Sequence, residues 1–133
     1  ELTVEQNIAF PLLLDCRKPD GRELLELLNL LGLAPRRNHL PSQLSGGQQQ
    51  RTAIGRALIH RPMLILADEP TGNLDSKNSQ EVMELLTQAA RHYRQTILMI
   101  THNPGLTAYA DRVLQVTDGI LTDLGGNCNE KLS

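Results

Sequence analysis

Short groups of polar residues in this chain carry the side chains that phosphate chemistry requires. A Ser-Gly-Gly turn at residues 45–47 opens a predicted helix, Asp68 and Glu69 end an apolar run, and His102 follows another. Unpaired N–H groups at a helix N-terminus attract anions, and glycines let the backbone approach them closely. Neighbouring carboxylates suit a bound Mg²⁺ and an acceptor for the proton of an attacking water. These residue types indicate a site for a phosphate group and a divalent cation.

Each group taken alone also has an ordinary structural explanation. Ser45 is a normal helix N-cap, and Asp68 and Glu69 fit a solvated strand end. His102 fits a partly buried surface histidine that carries no chemistry. Asp75 suits the N-cap of the helix that follows it, alone or together with a second role. The order and spacing of the groups favour the chemical interpretation.

Hydrophobic periodicity predicts three helices in the first half of the chain. The first begins after Thr3 and is interrupted by Pro11, because proline cannot donate to the helical ladder. The second covers residues 22–31 and ends at Gly32, which suits a left-handed cap. The third covers about residues 47–60 and is expected to pack inward through Ala53, Ile54, Ala57 and Leu58.

The second half predicts a parallel sheet. Residues 63–67 and 96–101 are apolar runs typical of strands buried on both faces, and a helix over 76–93 joins them. Such a βαβ unit is right-handed and binds ligands beyond the carboxyl ends of its strands. Asp118-Gly119 predicts a hairpin with a type I′ turn, and residues 125–133 are expected to fray. The fold class is therefore α/β.

Composition restricts the partners of this chain of 133 residues, which is 40% hydrophobic. Aromatic residues are limited to Phe10, Tyr93 and Tyr109, so stacking on nucleic-acid bases is disfavoured. A net charge of -2 without a basic stripe argues against nucleic acid, and no apolar run approaches the roughly 18 residues that span a bilayer. Cys16 and Cys128 are expected to be free thiols in a reducing compartment, which favours the cytoplasm.

The joint pattern resembles the ATP-binding subunit of ABC transporters over about residues 2–124, and within that family the branch of lipoprotein-release and macrolide-export systems. The resemblance implies a partial P-loop NTPase (RecA-like) core of ABC ATPase type with part of the helical subdomain. Residues 1–60 would be the helical subdomain portion, ending in the signature loop and helix. Residues 61–133 would be the C-terminal part of the core, with Walker B, the D-loop, the switch histidine and a C-terminal hairpin.

The resemblance also implies a role for each polar group. Walker B would supply Asp68 for Mg²⁺ and Glu69 as the general base. Asp75 of the D-loop would reach across a dimer, and His102 would be the switch histidine. The signature motif, which contacts the γ-phosphate of ATP held by a partner subunit mainly through its serine and second glycine, corresponds to Leu44, Ser45, Gly46, Gly47 and Gln48.

The implied function is ATP hydrolysis that powers substrate export or release across a membrane. The implied partners are a second ATP-binding subunit and a transmembrane permease docked by residues 2–40, at the inner face of the cell membrane. A P-loop requires Gly-Lys-Ser/Thr, but Lys18, Lys77 and Lys131 are followed by Pro, Asn and Leu. The chain also begins without Met, so it is expected to be a fragment that lacks Walker A and is inactive alone.

Two other classes of protein stay open. One is a non-catalytic binding or assembly module derived from an ABC ATPase, which the missing P-loop would suit. The other is the chromosome-maintenance and repair ATPases, which share a signature of this kind. Those proteins carry long coiled coils, and no sustained heptad precedes Leu44, so this class is disfavoured.

Overall fold

The computed structural model describes residues 1–72 and 74–126, and this described part forms two compact units. The first unit is Glu1–Ile100, and the second begins at Thr101. The described helices and strands of the first unit are α1 (Val4–Leu14), α2 (Gly21–Leu30), α3 (Gly46–Leu58), β1 (Leu64–Asp68), α4 (Ser76–Tyr93) and β2 (Thr96–Ile100), with 3₁₀ turns at Ala34–Arg36 and Pro41–Gln43. Those of the second unit are a 3₁₀ turn (Pro104–Tyr109), β3 (Leu114–Thr117) and β4 (Ile120–Asp123). The predicted α/β class is confirmed.

Helix α1 runs through its proline. A capping box starts the helix, in which Thr3 Oγ1 accepts from the Gln6 N–H and Gln6 Oε1 accepts from the Thr3 N–H. The prediction that Pro11 interrupts the helix is wrong, because α1 continues to Leu14. The proline removes a single ladder bond, and the helix is held by a buried face of Val4, Ile8, Ala9 and Leu12.

Helix α2 ends as its sequence predicts. Gly32 has φ +65°, and its N–H donates to the Asn29 carbonyl at 3.0 Å. The Leu33 N–H donates to the Leu28 carbonyl at 2.8 Å, which completes a Schellman motif. A non-glycine residue at this left-handed position would be strained, so the predicted cap at Gly32 is confirmed.

Helix α3 buries only part of the predicted face. Ile54 and Leu58 are buried as expected, but Ala53 is half-buried and Ala57 is exposed. Gly55 is buried instead, because side chains of α1 and of Leu31, the cap residue of α2, come close to its backbone. A Cβ placed on Gly55 would lie 2.8 Å from both Ile8 Cδ1 and Leu31 Cδ1. The glycine therefore permits the close approach of these helices.

Strands β1 and β2 pair in parallel, with Leu66 opposite Leu98 and Asp68 opposite Ile100. One face of the pair contributes Ile65 to the core and packs Ile97 against it. The opposite face is 50–72% exposed at Leu64, Leu66, Leu98 and Ile100. The expectation that both faces are buried is wrong for the described residues, because their helices pack against a single face of the sheet.

The second unit contains the predicted hairpin. Asp118 and Gly119 have φ values of +50° and +78°, as a type I′ turn requires. They join β3 to β4, with Thr117 opposite Ile120. The residues predicted to fray fall mostly at 127–133, which lie outside the described residues.

Three whole-chain predictions concern thiols, membrane insertion and subdomains. Cys16 is an exposed free thiol, and Cys128 lies outside the described residues. Within residues 1–72 and 74–126, no helix is both long enough and apolar enough to cross a membrane. The predicted subdomain boundary after residue 60 falls inside the first unit and stays a prediction.

Gly55→Ala is expected to lower the free energy of unfolding by about 1–3 kcal/mol, because the added methyl overpacks the contact with α1 and α2. This loss outweighs the helix propensity that alanine contributes, which is at most about 1 kcal/mol. Gly21→Ala is the matched control, since no atom lies within 4 Å of the Cβ position there. Urea unfolding followed by circular dichroism makes the measurement. An unchanged or raised stability of Gly55→Ala would show that the helices have room at this point.

Candidate phosphate-binding site

The loop at residues 44–48 is shaped by a reciprocal pair of hydrogen bonds. Ser45 Oγ accepts from the Gln48 N–H at 3.3 Å, and Gln48 Oε1 accepts from the Ser45 N–H at 3.1 Å. This is a capping box, and the next amide, that of Gln49, donates to the Ser45 carbonyl at 2.9 Å. The sequence reasoning missed this role of Gln48, although the Ser-x-x-Gln spacing is its signal.

The capping box leaves two amides at the start of α3 for another acceptor. The N–H groups of Gly46 and Gly47 have no hydrogen-bond acceptor among the residues that the structure describes. The Ser45 hydroxyl accepts in the cap and keeps its own proton for donation. Together with the positive end of the helix dipole, these three groups are a donor set that fits a phosphate oxygen.

The chain entering this turn is anchored on the protein side. Leu44 is 8% exposed and belongs to the hydrophobic core. Gln49 Nε2 donates to the carbonyl oxygens of Pro41 at 3.0 Å and Leu44 at 3.3 Å. The packing of Leu44 and the hydrogen bonds of Gln49 therefore fix the chain before and after the turn.

The carboxylates lie at the carboxyl end of β1. Asp68 is the last residue of the strand and is exposed. The Glu69 N–H donates to the Ile100 carbonyl at 2.9 Å, and the Glu69 carbonyl accepts from the Gly72 N–H at 3.0 Å. Glu69 has φ +42°, a left-handed conformation that costs a non-glycine residue about 1–3 kcal/mol. Strand β1 therefore ends in a turn at the residue predicted to act as a base.

Asp68 is the predicted metal ligand at this strand end. Within the described residues, no group of three or more His, Cys, Asp and Glu side chains could hold a metal ion. Mg²⁺ commonly takes one or two carboxylates and completes its shell with waters and substrate phosphates. Asp68 could supply one carboxylate to such an ion.

Asp75 caps α4 through both of its carboxylate oxygens. Oδ1 accepts from the Asn78 N–H at 2.9 Å, and Oδ2 accepts from Asn78 Nδ2 at 2.6 Å. The backbone bond from Asn78, followed by its side-chain bond, lowers the pKa of Asp75 below the ordinary value of 3.8. The expectation that Asp75 is an N-cap is met.

The structure brings some of the predicted site residues together. The start of α3 lies against the start of α4, since a Cβ on Gly46 would be 3.5 Å from Leu74 Cδ2. A Cβ on Gly47 would be 3.1 Å from Asn78 Oδ1. The signature residues and Asp75 therefore share one region of the first unit.

His102 belongs to the second unit and lies two residues after the end of β2. Its side chain is exposed. The next residue begins a short turn, in which the Asn103 N–H donates to Thr101 Oγ1 at 3.1 Å and the Gly105 N–H donates to Asn103 Oδ1 at 2.9 Å. The chemical role of His102 stays a prediction.

Comparisons with known proteins connect this site to a family. Residues 1–72 match the family described as ABC transporter. The macrolide export ATP-binding/permease protein MacB of Chlorobaculum tepidum is 49% identical over 118 residues, which are 88% of this chain and 18% of that protein. The lipoprotein-releasing system ATP-binding protein LolD 1 of Rhodopseudomonas palustris is 45% identical over 120 residues, which are 88% of this chain and 53% of that protein. The resemblance to the macrolide-export and lipoprotein-release branch is confirmed.

A solved structure has the same fold. The ATP-binding cassette MJ0796, in a dimeric post-hydrolysis state bound to ADP and Pi, matches with a TM-score of 0.74 and 37% sequence identity. The match covers 94% of this chain and 58% of that chain. The predicted fold class is confirmed. This chain spans about half the length of the cassette and of LolD 1, and a smaller share of MacB.

The lowered pKa of Asp75 predicts a pH-dependent contribution to stability. A carboxylate with a depressed folded-state pKa stabilises the fold fully above 3.8, and the contribution is lost as the pH falls through the folded-state pKa. The difference in unfolding free energy between the native chain and Asp75→Asn should therefore shrink from about pH 6 to about pH 2.5. Urea unfolding across this range measures it. A difference in unfolding free energy that stays constant with pH would contradict the lowered pKa of Asp75.

Proposed function

Since this chain belongs to the ABC transporter family, we propose that it is the part of an ATP-binding subunit that presents the signature loop to ATP held by a second subunit. The observation that carries the proposal is the donor set at the start of α3. The Gly46 and Gly47 amides have no acceptor among the described residues, and the Ser45 hydroxyl lies beside them. The chain has no Gly-Lys-Ser/Thr sequence with which to cradle phosphates itself. These donors therefore suit a phosphate whose other contacts come from elsewhere.

In this proposal the signature residues divide into donors and supports. Ser45, Gly46 and Gly47 donate to the γ-phosphate of ATP. Leu44 anchors the turn in the core, and Gln48 closes the capping box that keeps the donors in place. Donors fixed before the reaction stabilise developing charge without reorganising, which is how phosphoryl transfer is mainly catalysed.

The strand end supplies the remaining chemistry in the proposal. Asp68 holds Mg²⁺, which neutralises phosphate charge when it is bound. Glu69 accepts the proton of the attacking water, and its left-handed backbone lies in the turn that ends β1. His102 donates a hydrogen bond to the transferred phosphate, and Asp75 reaches across the subunit interface.

A transmembrane permease is the second proposed partner, docked by residues 2–40. An exposed apolar patch on α1 supports this proposal, with Phe10, Leu13 and Leu14 being 43%, 52% and 69% exposed. Relatives named for macrolide export and lipoprotein release support a role in export or release. The subunit would then lie in the cytoplasm against the inner face of the cell membrane, without inserting into the bilayer or binding nucleic acid.

A second candidate function is a non-catalytic assembly module. Such a module would keep the signature turn and the docking surface but would not hydrolyse ATP in its complete form. Turnover by the complete subunit therefore separates the two functions.

The 133-residue chain by itself is expected neither to bind ATP tightly nor to hydrolyse it, because it lacks a lysine and backbone cradle for the phosphates. Phosphate release from Mg²⁺-ATP and nucleotide binding by calorimetry are the measurements. Family-like turnover that is abolished by Glu69→Gln would overturn this expectation.

Glu69→Gln in the complete subunit is expected to abolish turnover and to trap ATP in a closed dimer, because an amide cannot accept the proton of water. Size-exclusion chromatography with ATP and a phosphate-release assay measure both effects. Glu84→Gln is the matched control, since Glu84 is exposed on α4 and accepts a hydrogen bond from Gln80. Continued hydrolysis by Glu69→Gln would show that Glu69 is not the base. Absence of turnover in the complete native subunit would favour the assembly module.

A further inference from the structure

The first turns of α3 and α4 meet with almost no space between them. Gly47 is buried, and a Cβ on it would lie 3.1 Å from Asn78 Oδ1 and 3.5 Å from Asn78 Cγ. Such a contact is tighter than ordinary van der Waals packing, so any side chain at Gly47 would displace Asn78. The signature turn thus lies directly against the side chain of Asn78.

Asn78 also holds the carboxylate of Asp75. Its backbone N–H and its side-chain Nδ2 donate to different oxygens of that carboxylate, at 2.9 Å and 2.6 Å. Because a carboxylate only accepts hydrogen bonds, the amide nitrogen must face Asp75 and Oδ1 faces Gly47. One side chain therefore contacts both elements that the proposed function offers to the partner's nucleotide.

A second contact, farther along the same helices, restricts their relative rotation. Arg51 lies one turn beyond Gly47, and its guanidinium pairs with Glu81 at 2.7 Å. The Arg51 side chain is 19% exposed and that of Glu81 is 44% exposed, so the pair lies at the edge of the packed surface between the helices. The close approach of Asn78 to Gly47 and the Arg51–Glu81 pair thus add two contacts to the hydrophobic packing between α3 and α4.

We propose that Asn78 is a positioning residue that couples the D-loop to the signature turn, so that Asp75 and residues 45–47 move as one body when the subunit meets its partner. The claim that this movement affects contact with the partner's nucleotide rests on the proposed function. The coupling itself rests on the contacts of Asn78 with Gly47 and Asp75.

A purely local role for Asn78 would be to stabilise the first turn of α4. The two roles differ in how far the effect of a substitution reaches. A local role changes only amides of α4, such as that of Ser79, which donates to the Asp75 carbonyl at 2.8 Å. A coupling role also loosens the start of α3, where Gln48 and Gln49 donate to Ser45.

Amide hydrogen exchange in the nucleotide-free complete subunit makes this distinction. Asn78→Ala is expected to speed exchange at Gln48 and Gln49 by about tenfold, because removing the side chain that lies against Gly47 lets the first turn of α3 open more often. Gln80→Ala is the matched control, because it removes an amide side chain from the same helix that bonds only to Glu84 among the described residues. Faster exchange at Ser79 alone would reduce Asn78 to a local helix cap and overturn the coupling.

ATP-driven dimerisation of the complete subunit carrying Glu69→Gln tests the functional consequence. Asn78→Ala should weaken the dimer by about tenfold. Combined with Asp75→Ala it should add little further loss, because both substitutions break the same coupling. An unweakened dimer, or losses that simply add, would overturn the proposal. If no ATP-dependent dimer forms even with Asn78 intact, the proposed function fails, and the exchange measurement still decides whether Asn78 couples the two turns.

Discussion

The position of α3 depends on two glycines at which its backbone lies directly against neighbouring side chains. Gly55 admits Ile8 of α1 and the nearby Leu31, and Gly47 admits Asn78 of α4. Glycine lowers intrinsic helix stability by up to about 1 kcal/mol at each interior position, so this helix is held by packing rather than by propensity. Since α3 begins at the Ser45 cap, these two contacts decide where the Ser45-Gly46-Gly47 turn lies.

Both parts of the site use the ends of secondary structure, where the regular hydrogen-bond ladder stops. At the start of α3 the capping box satisfies the Ser45 and Gln48 amides and leaves those of the glycines between them for a ligand. At the end of β1 the left-handed Glu69 stops the strand and turns the chain. The cassette MJ0796, a solved relative of this chain, is dimeric.

Caps and turns were the most predictable features, because they involve residues a few positions apart. Gly32 and the Asp118-Gly119 turn were predicted with the backbone conformations that the structure has. The expectations for Pro11 and Ala57 failed, because burial along α1 and the close approach at Gly55 outweigh local preference. The capping role of Gln48 was predictable from its spacing and was missed.

The sequence by itself determined the α/β class, the family, and the placement of the Ser-Gly-Gly turn and the carboxylates at the ends of particular elements. Periodicity, caps and turn residues act over short stretches of chain, so they can be interpreted without knowing the fold. The tertiary structure alone decided which face of α3 is buried, which face of the β1 and β2 pair is covered, and that Gly47 meets Asn78. Those features depend on contacts between residues far apart in the chain. The local sequence pattern allows several arrangements of the helices and strands, and close packing between particular atoms selects one of them.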